Sequence, residues 1–335
     1  MQGVTIMDNQ LSNYKLIATY RNGPRFLVAR MKNKEGSELV LKKLLQMDNE
    51  WTKTGFRKEL AFLHWVESLG VSGLSEVFPR LLAFENTKET VWYATELLKG
   101  EFQNVEPSQF LLRGDFNTSV TPTALANFLL NLHAVTADVP EPIQEGMTAS
   151  PLEQYAGFLE WEKLFSPSTP RHSGKVAAAT ASRIGEDAGS NQHDGWLDVR
   201  IQPKIQRFLG EHASVYDRQQ KVLTHFEFYG AHILSTLEGD LKIIDWENIG
   251  LSDPTHDFTT IYLRAYHFPE WQDEFLSIFR AGLPDDFPID SVWPVELVLQ
   301  SLGNLRRFAE TTLREELAEK DDAVEYFRQT LLTNL

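Results

Sequence analysis

Residues 223–250, LTHFEFYGAHILSTLEGDLKIIDWENIG, decide how the rest of the chain is read. Two short apolar runs, Ile233-Leu234 and Leu241 to Ile244, flank a turn at Glu238-Gly239-Asp240, a pattern that predicts a tight β-hairpin. A hairpin brings the residues before its first strand and those after its second to one place. His225, Glu227 and His232 precede it and Asp245 closes it. An acid closing an apolar run stands at the rim of the core, where it needs a partner or a metal ion. For a lone Asp, a solvated hairpin end would be the simpler account. Its company argues for a site.

Working outward, the first hundred residues read mostly as strands. YKLIATYRNGPRFLVARMKNKEGSELVLKKLL holds apolar runs separated by turns at Asn22-Gly23 and Glu35-Gly36, an antiparallel meander. A helix comes next in TGFRKELAFLHWVESLG, with Phe56, Leu60, Leu63 and Val66 at helical spacing and Gly70 as a stop. RLLAFENT and TVWYATELL read as further strands. Beyond Gly100 the pattern turns helical. TPTALANFLLNLHAVT begins with Thr and Pro at cap and first-turn positions. The stretch from about 140 to 195 is rich in Pro, Ser and Gly, with SPSTPRHSGK and GEDAGSNQHDG its clearest loops. Gly174-Lys175 lacks the first glycine and the final Ser/Thr of a P-loop. From Pro294 on, Leu297, Leu302, Leu305, Ala309, Thr312 and Leu317 form a core-facing stripe.

Composition narrows the function classes. A chain of 335 residues exceeds the usual single domain. Its hydrophobic share of 42% and charged share of 24% are those of a globular enzyme. Lys+Arg 32 against Asp+Glu 47 leaves −15, which argues against nucleic-acid binding and would suit a cationic substrate, although acidic chains also arise for solubility alone. With no cysteine, disulfides, zinc–thiolate sites and thiol nucleophiles are excluded. No signal peptide is visible, and the apolar stretches are too short to span a bilayer, so we expect a cytoplasmic protein without membrane partners.

The segments HFEFYGAHIL, IIDWENIG and LSDPTHDF resemble the aminoglycoside phosphotransferase and choline kinase family, whose pattern is H-G-D-x-x-x-x-N-I-L, a hairpin, I-D-W-E, and G-D-P-x-x-D. Leu223, Ile233, Leu234, Asp245, Trp246, Glu247, Asp253, Pro254 and Asp257 fall in register without a gap. The resemblance implies a bilobal α+β protein-kinase-like fold: an antiparallel-sheet N-lobe over residues 1–99 and a larger, mainly helical C-lobe over 100–335. It implies an ATP-dependent phosphotransferase acting on a hydroxyl of a small molecule, with ATP and Mg2+ or Mn2+ as cofactors. Lys42 of ELVLKK takes the place of the lysine that pairs with nucleotide phosphates, and Glu59 is the buried acid that would hold it. Glu96 to Leu98 of ATELLKG resemble the lobe linker, where backbone groups meet an adenine ring. TYRNGPRF keeps only Gly23 of a phosphate-covering loop.

Two positions depart from the pattern. Glu227 stands where the family has the aspartate that deprotonates the acceptor, and its carboxylate lies one methylene further out. Misplacement by about an ångström can cost on the order of a hundredfold in rate. His232 stands where the family's asparagine meets the metal. Imidazole is a poor ligand for Mg2+ but suits Mn2+ or Zn2+, and His232 could instead meet a phosphate. The metal ligands implied are thus Asp245 and His232. His225 is expected to brace the loop and Asp257 to anchor it or cap the next helix. Two alternatives stay open: a pseudokinase that binds nucleotide or scaffolds, and a metal-dependent nucleotidyl transfer or hydrolysis in the same cleft. The acceptor and the oligomeric state are not legible.

Overall fold

The computed structural model describes residues 11–69, 74–102, 120–136, 139–144, 150–159, 164–166, 197–310 and 320–335. Strands β1 (Tyr14–Asn22), β2 (Phe26–Asn33), β3 (Glu38–Leu44), β4 (Leu81–Asn86) and β5 (Val91–Glu96) form one antiparallel sheet in the order β1-β2-β3-β5-β4. Helix α1 (Glu50–Leu69) lies between β3 and β4 in sequence. This is the element order expected. The Glu35-Gly36 turn closes because Gly36 adopts a φ of 93° and Asn33 Oδ1 accepts the N–H groups of Glu35 and Ser37 at 3.0 and 2.8 Å.

Alternation along the strands sorts the sheet into two faces. Leu27, Ala29, Met31, Leu39, Leu41, Trp92 and Ala94 pack together on one of them. Lys42 therefore points to the other, where Phe26 and Tyr93 meet Phe56 of α1. Helix α1 starts before the expected Thr54, since Asn49 Oδ1 accepts the N–H of Thr52 at 3.0 Å and caps it. Gly70, the expected stop, lies outside the described residues.

The predicted hairpin is β10 (Ile233–Thr236) with β11 (Leu241–Ile243), turning at Gly239, which has φ 87°. The other edge of β10 carries β6 (Gly100–Phe102), a pairing the sequence did not suggest. Gly100 permits it, because a β-carbon there would stand 2.0 Å from the Ser235 carbonyl oxygen. Strands β9 (Val222–Thr224) and β12 (Gly250–Ser252) pair across the base of the segment. Around it pack α2 (Pro122–Ala134), α6 (Thr255–Arg264) and α7 (Pro269–Gly282). Thr121 caps α2 by accepting the N–H of Ala124 at 3.1 Å, as its sequence predicts.

By compactness the chain divides into two units, residues 1–148 with 220–287, and residues 149–219 with 288–335. The second holds α4 (Pro151–Leu159), α5 (Gln202–Asp217), α8 (Ile289–Glu310) and α9 (Lys320–Thr333), with short parallel strands β7 (Phe165–Ser166) and β8 (Leu197–Asp198). The stretch expected as loop from 140 contains helices: α3 (Glu141–Gln144), in the first unit, and α4. Helix α4 starts from a capping box in which Ser150 and Glu153 exchange hydrogen bonds. Residues 167–196, with most of both quoted loops, lie outside the described residues. Leu297, Leu302 and Leu305 are buried as expected. Thr312 and Leu317 lie outside the described residues.

Candidate active site

Three elements of the first unit converge on one ammonium group. Lys42 of β3 donates to Glu59 Oε2 of α1 at 2.6 Å and to Asp245 Oδ1, just after β11, at 2.8 Å. Lys42 is 8% exposed and Glu59 2%. Neither charge would be tolerable alone at that depth. Glu59 is fully used, because its other oxygen accepts the Trp246 N–H at 3.0 Å. Trp246 pins the segment from below: its ring stacks on Phe62 at 4.4 Å and meets His225 edge-on at 4.4 Å. Gly55 lets α1 approach, since a β-carbon there would lie 2.9 Å from the Glu247 carbonyl oxygen.

The cluster is rich in carboxyl groups. Glu247 Oε2 lies 3.7 Å from Lys42 Nζ without a hydrogen bond, while Glu247 Oε1 is 3.4 Å from Arg25. Three carboxylates thus face one ammonium and one guanidinium. Burial would push Lys42 down, but Asp245 and Glu59 outweigh it and hold it well above its usual value. Burial would likewise raise Asp245, but Lys42 outweighs that and keeps it ionised far below the usual carboxylate range. Glu247 is less well compensated, and burial lifts it to about 7.

The loop before the hairpin is clamped from beneath. Asp257 of α6 accepts the backbone N–H groups of His225 and Phe226 at 2.6 and 3.0 Å. The buried His225 ring donates from Nε2 to the Ile244 carbonyl at 3.0 Å and accepts the Glu227 N–H on Nδ1 at 3.2 Å. That pairing needs the neutral ring, and burial pushes His225 down to about 3. Phe226 holds a left-handed φ of 68°, in the place of the family's glycine, and Asp245 one of 66°.

His232 closes the set. Its Nδ1 lies 2.7 Å from the Glu227 carbonyl, which can only accept, so Nδ1 carries a proton. Its Nε2 faces Asp245 Oδ2 at 3.5 Å. Lys42, Glu59, Asp245 and His232 are therefore directly linked. Glu227 and His225 join them through the loop backbone. Glu96 and Leu98 are not part of this network; Glu96 ends β5, where its Oε1 accepts the Arg80 N–H at 3.1 Å. Arg25 and Glu247 were not singled out as site residues. The acid of IDWE marked one of them, whereas no pattern marked Arg25, just past the β1–β2 turn.

A carboxylate oxygen beside an imidazole nitrogen suits a divalent cation, which Asp245 Oδ2 and His232 Nε2 would hold. The carboxylate fits Mg2+; the imidazole nitrogen does not. Among the described residues no group of three or more His, Cys, Asp or Glu side chains could hold a metal ion.

A family model described as the phosphotransferase enzyme family matches residues 21–289. No curated protein sequence is significantly similar to the chain. Among solved structures, the fold is similar to macrolide 2'-phosphotransferase from Brachybacterium faecium, with TM-score 0.55 and 17% identity over 96% of this chain and 92% of that one. It is similar to choline kinase from Streptococcus pneumoniae, with TM-score 0.54 and 14% identity over 95% and 94%. An amicoumacin kinase in complex with AMP-PNP and Ca2+ matches with TM-score 0.56 and 13% identity over 95% and 87%. The expected protein-kinase-like α+β fold is the one observed.

Proposed function

Starting from a chain that belongs to the phosphotransferase enzyme family, we propose that it transfers the γ-phosphoryl group of ATP to a hydroxyl of a small molecule. The observation that carries this is the chain from the buried Glu59 through the buried Lys42 to the half-buried Asp245, which joins a helix, a strand and a loop, with Lys42 and Asp245 203 residues apart in sequence. Glu59 holds the Lys42 ammonium, which would meet nucleotide phosphates. Backbone groups at Glu96 to Leu98 would receive the adenine. We take residues 1–99 as the nucleotide-contacting lobe and 100–335 as the lobe that carries the hairpin and the acceptor. A divalent ion at Asp245 would neutralise charge on the phosphates when bound.

In the transfer, Glu227 accepts the acceptor's hydroxyl proton, the hydroxyl oxygen bonds to the γ-phosphorus, and the bond to ADP breaks. The neighbours named for a macrolide, choline and amicoumacin support a small-molecule acceptor. The acidic balance of −15 favours a cationic one.

A second account, nucleotide binding without turnover, is favoured by one observation: the loop holds Glu227 and His232 in place of the family's aspartate and asparagine. ATP consumption measured against a panel of hydroxyl-bearing small molecules separates the two. With an accepted compound, Glu227→Gln should lower kcat by about 10²–10⁴ and leave nucleotide affinity unchanged. No consumption with any compound, by a protein that binds ATP, would favour the second account.

A further inference from the structure

Beyond the phosphotransfer reading, and resting on its assignment of Asp245 and His232 to a divalent ion, the identity of that ion can be argued from how His232 is held. Its backbone is fixed in a short 3-10 turn, Gly230–His232, and its carbonyl accepts the Ile244 N–H at 3.0 Å, one residue before Asp245. Its ring is fixed by the Nδ1–H bond to the Glu227 carbonyl at 2.7 Å. A histidine whose far nitrogen donates to a backbone carbonyl has its tautomer and ring plane set for metal binding through the near one. The near nitrogen, Nε2, faces Asp245 Oδ2 at 3.5 Å. Lys42 takes the other oxygen, Oδ1, at 2.8 Å, so Oδ2 is turned toward the imidazole rather than toward the ammonium.

We propose that Asp245 Oδ2 and His232 Nε2 form a mixed oxygen–nitrogen site selective for a divalent transition ion, Mn2+ or Zn2+, over Mg2+. Donor chemistry points this way. Mg2+ wants oxygen ligands in near-octahedral geometry at about 2.0–2.1 Å, whereas imidazole is a favoured ligand of Zn2+ and is accepted more readily by Mn2+ than by Mg2+. Phosphate oxygens or water complete the shell.

The test is Mn2+ binding to the full chain, read by electron paramagnetic resonance with and without ATP. Pulsed spectra should show modulation from a bound imidazole nitrogen, and a hundredfold excess of Mg2+ should displace less than half of the Mn2+. Zn2+ should displace it. His232→Asn should abolish the nitrogen modulation and shift the Mn2+/Mg2+ preference at least tenfold toward Mg2+; His232→Gln serves if the first variant melts early. Mn2+ bound without nitrogen modulation, modulation that survives in His232→Asn, or no Mn2+ binding with or without ATP would overturn the proposal. In those cases the pair is joined by a proton instead. Nitrogen-ligated Mn2+ in a protein that consumes no ATP would leave the metal assignment standing and remove the phosphotransfer reading.

Discussion

Phe226 and Asp245 carry the left-handed backbone conformations among the non-glycine described residues, and they lie on either side of the candidate site. Such conformations cost about 1–3 kcal/mol each and persist only where the surroundings over-determine them. Here Asp257 clamps one, and Lys42 with the Trp246 N–H bond holds the other. The motif around Asp245 was legible because it is a run of residue types. The strain at Phe226 was not, because it depends on the clamp from Asp257. His225 gives a test at this scale. Its native hydrogen bonds require the neutral ring, and its folded value is near 3 against an ordinary 6.5. As pH falls below about 6.5 the unfolded chain takes up a proton that the folded one refuses. Stability from this group is therefore complete above that pH and declines toward pH 3 by up to about 1.4 kcal/mol per unit. Nitrogen NMR at pH 5 should find His225 neutral with the proton on Nε2. A ring that titrates near 6.5 in the folded protein would contradict the arrangement.

At the level of elements, the docking of α1 on the 245–247 segment sets the spacing of Glu59 and Asp245. Gly55 sits at that contact. Alanine is intrinsically better in a helix by about 1 kcal/mol, yet its β-carbon would press on the Glu247 backbone at 2.9 Å. Gly55→Ala should therefore destabilise by about 1–3 kcal/mol, as overpacking does. Gly210→Ala in α5, where a β-carbon meets nothing within 4 Å, should stabilise by about 0.5–1 kcal/mol. Urea midpoints of the two variants check the contrast; equal shifts would deny the close approach. The helix itself was legible from its apolar spacing. The glycine was not, because only the tertiary contact separates it from Gly210. Caps at Asn49 and Ser150 escaped for a related reason: their partners lie a few residues on, in stretches without a strong apolar period.

For the molecule as a whole, the fold was readable from residues 223–257 because that segment joins a hairpin, a buried tryptophan and a clamped loop in one run. Pairings formed across long sequence separations, such as β6 on β10 or Arg25 with Glu247, left no local trace. The helices α4, α5, α8 and α9 form a compact unit of their own, locked inside by a buried hydrogen bond from Tyr216 to Glu296. The apolar stripe from Leu297 announced α8, whereas the polar, loop-like composition before it did not announce α4. Lys42, Glu59 and Asp245 are proposed to make a nucleotide site completed by a divalent ion. Titration calorimetry of ATP, with and without Mn2+, on the native chain and on Asp245→Asn tests it most directly, because asparagine tolerates the left-handed backbone at that position. Binding should weaken at least tenfold, about 1.4 kcal/mol, when either the metal or the carboxylate is removed. Affinity unchanged by both, or no binding under any condition, would contradict it.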